Sequence, residues 1–132
     1  MYLQRLRDGG GYDSQHGRLL ADLQAAQRLA RNHSEGYRIA ESDPEAARHA
    51  ISRTLPIDKI QALLLLTDGA AAGVTTYSAP STWPELVHQV ASAGARQVLG
   101  DLRQLEETDP AGRQWPRAKP QDDQTAIFAW AL

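Results

Sequence analysis

From Arg18 to Arg31 the apolar residues Leu19, Leu20, Leu23, Ala26, Leu29 and Ala30 recur at spacings of three and four. That period predicts an amphipathic helix, with Asp22, Gln24, Arg28 and Arg31 on its wet side. Before it the pattern is weak. A short helical turn is predicted over Tyr2 to Arg7, and Gly9, Gly10 and Gly11 then break any regular element. After it, Asn32 to Gly36 are turn residues, and Gly36 to Glu41 reads as a short strand. Ser42, Asp43, Pro44 and Glu45 give a helix start, with a capping side chain, a proline in the first turn and an acid at the positive dipole end. Ala46, Ala47, Ala50 and Ile51 form the small apolar face of that helix, which Pro56 bounds.

The clearest strand is Ile60 to Thr67, spelled IQALLLLT. Leucine favours helices, but the run is short, continuously apolar and stopped by Asp68-Gly69, so a strand is the better reading. Ser81, Thr82, Trp83, Pro84 and Glu85 open a further helix with Leu86, Val87 and Val90 inward. Gly94 interrupts it, and Val98, Leu99, Leu102 and Leu105 carry a second helical stripe. Turn signals crowd residues 108–121, and Thr125 to Leu132, TAIFAWAL, reads as a terminal strand. The predicted fold class is α/β: a small, mostly antiparallel sheet with helices on one face. Residues 1–132 form one domain, of which 1–17 are poorly defined.

Composition narrows the class. The 132 residues hold no cysteine, which removes disulfides, thiolate metal sites and cysteine nucleophiles. A net charge of −2 argues against a general nucleic-acid binder. Apolar runs such as Ala62 to Leu66 are far short of the roughly 18 residues that span a membrane. The start of the chain lacks the apolar core of a signal peptide. A cytoplasmic protein touching neither nucleic acid nor membrane is expected. Arginine outnumbers lysine twelve to two, a bias of GC-rich coding, so scattered arginines carry little functional weight.

Two acidic sites sit at strand ends. Asp68 leaves the buried strand, and Asp122-Asp123 enters the last one. If these strands pair antiparallel, the end of one lies beside the start of the other, and the carboxylates converge. Gly69 lets the chain turn sharply there. Convergent carboxylates on rigid strand ends suit a hard divalent cation such as magnesium or manganese. On generic grounds the commoner reading is the plain one, with Asp-Gly an ordinary turn and Asp-Asp a strand-flanking loop. Arg117 and Lys119, with Arg113, precede the acidic pair and are candidates for drawing a phosphate toward a metal; the plainer reading is a solvated basic loop.

At these residues a resemblance appears. TDG at 67–69 after an apolar strand, with DDQT at 122–125 opening a C-terminal strand, resembles the last two motifs of the metal-dependent serine/threonine phosphatases, the protein phosphatase 2C family. The stretch ETDPAGRQWPRAKPQDDQT at 107–125 resembles the tail of bacterial members, and the likeness covers residues 36–132. It implies half of an α-β-β-α sandwich, a phosphoserine or phosphothreonine substrate, and magnesium or manganese held by Asp68 and Asp122, with Asp123 in the adjoining position. The early metal-binding aspartate and glycine-rich turn of the family have no counterpart. Asp8-Gly9-Gly10-Gly11 follows no apolar strand and reads as a loop. The resemblance therefore implies a fragment with weak or no activity alone, or a non-catalytic assembly module that pairs with itself or with a chain carrying the other half.

Other chemistries find no support. His16, His33, His49 and His88 lack metal-ligand spacing, and neither a nucleophile elbow nor a phosphate-binding glycine loop occurs. Trp83, Trp115 and Trp130 read as core or edge-packing aromatics.

Overall fold

The computed structural model describes residues 2–130. Helices α1 (Tyr2–Arg7) and α2 (Ser14–Ala30) form an N-terminal hairpin. A long segment follows with two 3-10 turns, Pro44–His49 and Ile57–Lys59. Then come β1 (Ala62–Leu66), α3 (Asp68–Thr75), α4 (Trp83–Ala93), α5 (Ala95–Thr108) and β2 (Ala126–Trp130). The chain is thus mixed α/β with one small antiparallel sheet.

The two strands pair from Ala62 opposite Trp130 to Leu66 opposite Ala126. Side chains alternate across a strand, so the leucine run divides between two faces. Ala62, Leu64 and Leu66 share the inner face with Ala126 and Phe128, and α3 and α5 pack against it. Leu66, Ala70, Leu86, Val90, Leu102 and Ala126 close around a void of only about 10 Å³ there. Leu63, Leu65 and Ile127 lie on the outer face and remain 44%, 52% and 60% exposed. Helices cover one face of the sheet and leave the other open.

Local chemistry explains the helix boundaries. At the start of α4 the Thr82 hydroxyl accepts the Glu85 N–H at 3.4 Å, while the Glu85 carboxylate accepts the Thr82 N–H at 3.2 Å. Gly94, at φ +86°, turns α4 into α5 through a backbone region that disfavours side chains. Asp13 caps α2 by accepting the His16 N–H at 2.9 Å, and this contact leads the causes holding its carboxyl below the usual range. Leu6 is fully buried, and the buried His16 ring donates from Nε2 to the Ala118 carbonyl at 2.9 Å. The N-terminal hairpin is thereby tied to the loop before β2.

Three expectations are corrected. Residues 36–41 make no strand, only an isolated parallel bridge between Arg31 and Tyr37. The Asn32 side chain satisfies both backbone groups of Ile39, at 2.9 and 3.1 Å, and so replaces a sheet partner. The helix capped by Asp43 is a 3-10 turn, and its apolar face is left largely open: Ala46 is half-buried, Ala47 and Ala50 are exposed, and Ile51 is 94% exposed. Trp83 and Trp130 are exposed, and Trp115 is half-buried, edge-on to Tyr77 at 5.5 Å between ring centroids. The predicted end of the last strand, residues 131–132, lies outside the described residues. Among the described residues no helix is long and apolar enough to cross a membrane.

Candidate acidic cleft

β1 ends at Leu66, Thr67 stands at the N-cap, and α3 begins at Asp68. Pairing with the other strand continues one residue further: the Thr67 N–H donates to the Thr125 carbonyl at 3.1 Å. There the sheet opens, and the Thr67 hydroxyl takes over from the backbone. It accepts the Thr125 N–H at 3.0 Å and donates to the Asp123 carbonyl at 3.1 Å. The segment 122–125 is therefore sewn against the start of α3. Gly69 is buried at this seam; a Cβ there would collide with the Asp123 carbonyl oxygen and meet the Asp122 Cβ at 3.0 Å.

The result is an open cleft of about 270 Å³. Asp68, Gly69, Tyr77, Glu106, Arg117, Lys119 and Asp122 are among its lining residues. The structure thus brings Asp68 and Asp122 to one rim. Asp123 is not in that lining, and what it gives the seam is its carbonyl. The Lys119 ammonium sits on Asp122 Oδ1 at 2.7 Å, and the Asp123 N–H reaches the same oxygen at 2.9 Å. The Lys119 contact leads the causes that lower the Asp122 carboxyl, against an opposing push from burial. Asp122 reciprocates by raising the Lys119 ammonium.

Arg117 is placed in the cleft wall, but its guanidinium is committed elsewhere. It donates to the carbonyls of Pro120, Trp115, Glu106 and Asp109 at 2.8–3.1 Å and to the Asp109 carboxylate at 3.2 Å. All three of its nitrogens are thus engaged with this chain's own acceptors. Its work is to fix the loop from which Lys119 projects. Arg113 lies against Gly9 of the N-terminal loop.

Beneath the cleft is a buried polar network that the sequence reading missed. Glu106, 2% exposed, accepts from the Tyr77 hydroxyl at 3.1 Å, from Arg103 at 2.8 Å and from Gln124 at 3.3 Å. Arg103 also donates to the Asp122 carbonyl at 2.9 Å. Glu106 therefore links the end of α3 to the entry of β2, bracing both sides of the cleft. Burial first, and then the Glu106 charge against the opposing Arg117, pushes the Tyr77 phenol well above its ordinary value. A signal was present: Glu106 occupies the inward register of the α5 stripe, one turn after Leu102, where an acid needs buried partners.

Chemically, the rim suits a hard cation. Asp68 and Asp122 offer carboxylate oxygens beside open solvent, and an ammonium already rests on one of them as a stand-in cation. Magnesium is commonly held by one or two carboxylates, with water and a substrate phosphate completing its shell. The donor set fits in kind, though it is thin: among the described residues no group of three His, Cys, Asp or Glu side chains gathers to hold a metal. Comparison with family models, curated proteins and solved structures finds no match for the chain.

Proposed function

We propose that the chain is the C-terminal half of a metal-dependent, phosphatase 2C-like domain whose remaining acids bind magnesium or manganese weakly. The antiparallel register of β1 and β2, which delivers Asp68 and Asp122 to one rim, is the observation that carries this reading. An ion held by Asp68 and Asp122 would supply Lewis-acid chemistry suited to phosphoryl transfer. The chain's own contribution is positional. Asp68 and Asp122 hold the ion, Gly69 and Thr67 set their spacing, and Arg103 with Glu106 braces the Asp122 backbone. With two carboxylates, water fills most of the shell, so a dissociation constant in the millimolar range is expected, with no appreciable turnover of p-nitrophenyl phosphate. Titration with manganese, in the wild type and in Asp68→Asn and Asp122→Asn, tests it. Binding lost in both variants supports the reading; binding unaffected by either overturns it.

The outer sheet face favours a second reading, an assembly module that pairs with a second copy of itself. Leu65 lies directly opposite Ile127 on that face, both more than half exposed, with Leu63 beside them. An apolar, uncharged surface of this kind is self-complementary across a twofold axis.

A further inference from the structure

We propose that residues 51–59 form an arm which, when two copies pair, lies across the outer sheet face of the other copy. This rests on the reading of the chain as an assembly module and names what completes its interface. Residues 47–59 are all exposed, and 51–56 belong to no regular element. Among the described residues, the backbone of 51–55 bonds to no other backbone group. Pro56 biases Leu55 toward extended backbone. Yet this unsupported stretch carries Ile51, Leu55 and Ile57, which are 94%, 66% and 64% exposed. Each is more open than Leu63, Leu65 or Ile127 on the sheet. One copy therefore presents two apolar surfaces, and both stay open.

The arm starts at the rim of the face: Ile60 and Gln61 alone separate Lys59 from β1. When two outer faces meet, that rim borders the partner, so the arm begins at the interface. Nine extended residues reach about 30 Å, against about 17 Å for the length of a five-residue strand. The arm is long enough to cross the partner's two strands. Area favours a second copy as the occupant. Leu63, Leu65 and Ile127 alone fall short of the roughly 800 Å² that each partner gives a standard interface. Three arm side chains of the same kind and greater exposure more than double that apolar surface. Exchange of one segment between identical chains also forms every contact twice at little cost. Ordering an extended arm consumes conformational freedom, so its gain in affinity is moderate, about tenfold or somewhat more.

The test uses the full-length chain and two measurements. In sedimentation, Ile51→Asp/Leu55→Asp should weaken pairing by about tenfold or more, with the urea midpoint of the monomer unchanged because both side chains are exposed. Arg48→Gln, in the 3-10 turn before the arm, should leave pairing as it is. The second measurement exploits the absence of cysteine. Ser52 lies in the arm, and Ala129, opposite Leu63, lies on the outer face. Chains carrying Ser52→Cys and chains carrying Ala129→Cys, mixed and treated with a short bismaleimide, should give mixed cross-linked dimers. Adding Leu65→Lys to both should abolish them. Dimers in which the double aspartate variant pairs as well as the wild type would overturn the arm and leave face-to-face pairing standing. So would a Ser52→Cys/Ala129→Cys chain that cross-links only within itself, since the arm then closes on its own sheet. A wild type that stays monomeric at several hundred micromolar would overturn both.

Discussion

Gly69 and Asp123 lie so close that no side chain fits between them: a Cβ on Gly69 would strike the Asp123 carbonyl oxygen. The obstacle is backbone, which cannot rotate away as a side chain can. That same carbonyl accepts the Thr67 hydroxyl, so moving it breaks the seam between the start of α3 and the entry of β2. Gly69→Ala should therefore destabilise the fold by about 1–3 kcal/mol, the range for overpacking a tight site. It should also separate Asp68 from Asp122. Urea unfolding measures the first effect and manganese affinity the second. Wild-type stability in Gly69→Ala would show that the seam is loose.

Arg117 should behave as a structural residue rather than a surface charge. It donates to four carbonyls and to the buried Asp109 carboxylate. Removing one partner of a buried pair leaves the other charge uncompensated, at a cost of about 3–5 kcal/mol. Arg117→Ala is expected to lose that much, a large share of the 5–15 kcal/mol typical of a domain. Arg117→Lys should recover little, because a single ammonium cannot reproduce the planar fork. A loss below about 1 kcal/mol in equilibrium unfolding would contradict this placement.

Acid should unfold the chain through its aspartates. Burial pushes the Asp109 carboxyl up, but the N–H groups of Trp115 and Arg113, at 2.9 and 2.8 Å, and the Arg117 guanidinium outweigh it and leave it lowered. Asp122, beside Lys119, and Asp13, capping α2, shift the same way. A carboxyl lowered in the folded state contributes stability that is present above its ordinary value near 4. That stability is lost as pH falls through the folded value. Urea midpoints should hold from pH 7 to about 5 and then fall steadily below about 4. Asp109→Asn should be weaker at pH 7 and show a shallower acid limb. An unchanged limb would place the acid sensitivity elsewhere.

The sequence makes some of these features visible and hides others, for physical reasons. IQALLLLT reads as a strand because its length and its Asp-Gly stop are local facts, and the burial alternation of Leu63 to Leu66 follows from strand geometry alone. Thr82 to Glu85 reads as a helix start because both halves of the capping box lie within four residues. The convergence of Asp68 with Asp122 follows from an antiparallel pairing that both strand patterns suggest. Residues 36–41 mislead because Asn32, from outside the window, supplies the hydrogen bonds that a strand would seek. The network around Glu106 joins residues from α3, α5 and the loop before β2, and no local period reports such a meeting. Arg117 likewise looks solvated in sequence, and its burial depends on carbonyls that only the folded loop brings together.

The open sheet face predicts association. Leu63, Leu65 and Ile127 stay about half exposed although full burial of such side chains is worth about 1.5–3 kcal/mol each. The three side chains make a patch of a few hundred Å², less than the roughly 800 Å² that each partner contributes to a standard interface. Ile57, just before β1, is exposed at the margin of the sheet and enlarges the apolar surface. Trp130 does not enlarge it, because it pairs with Ala62 on the other face and stacks there on Phe128. Pairing of two copies face to face is therefore expected to be weak, with dissociation in the micromolar range or above. Sedimentation over a concentration series should show a reversible shift from monomer to dimer. Leu65→Lys, which places a charge at the centre of the patch, should abolish it while leaving manganese affinity unchanged, since the cleft lies beyond the end of the strand. A wild-type chain that stays monomeric at several hundred micromolar would mean that this face remains open in solution and that the assembly reading fails.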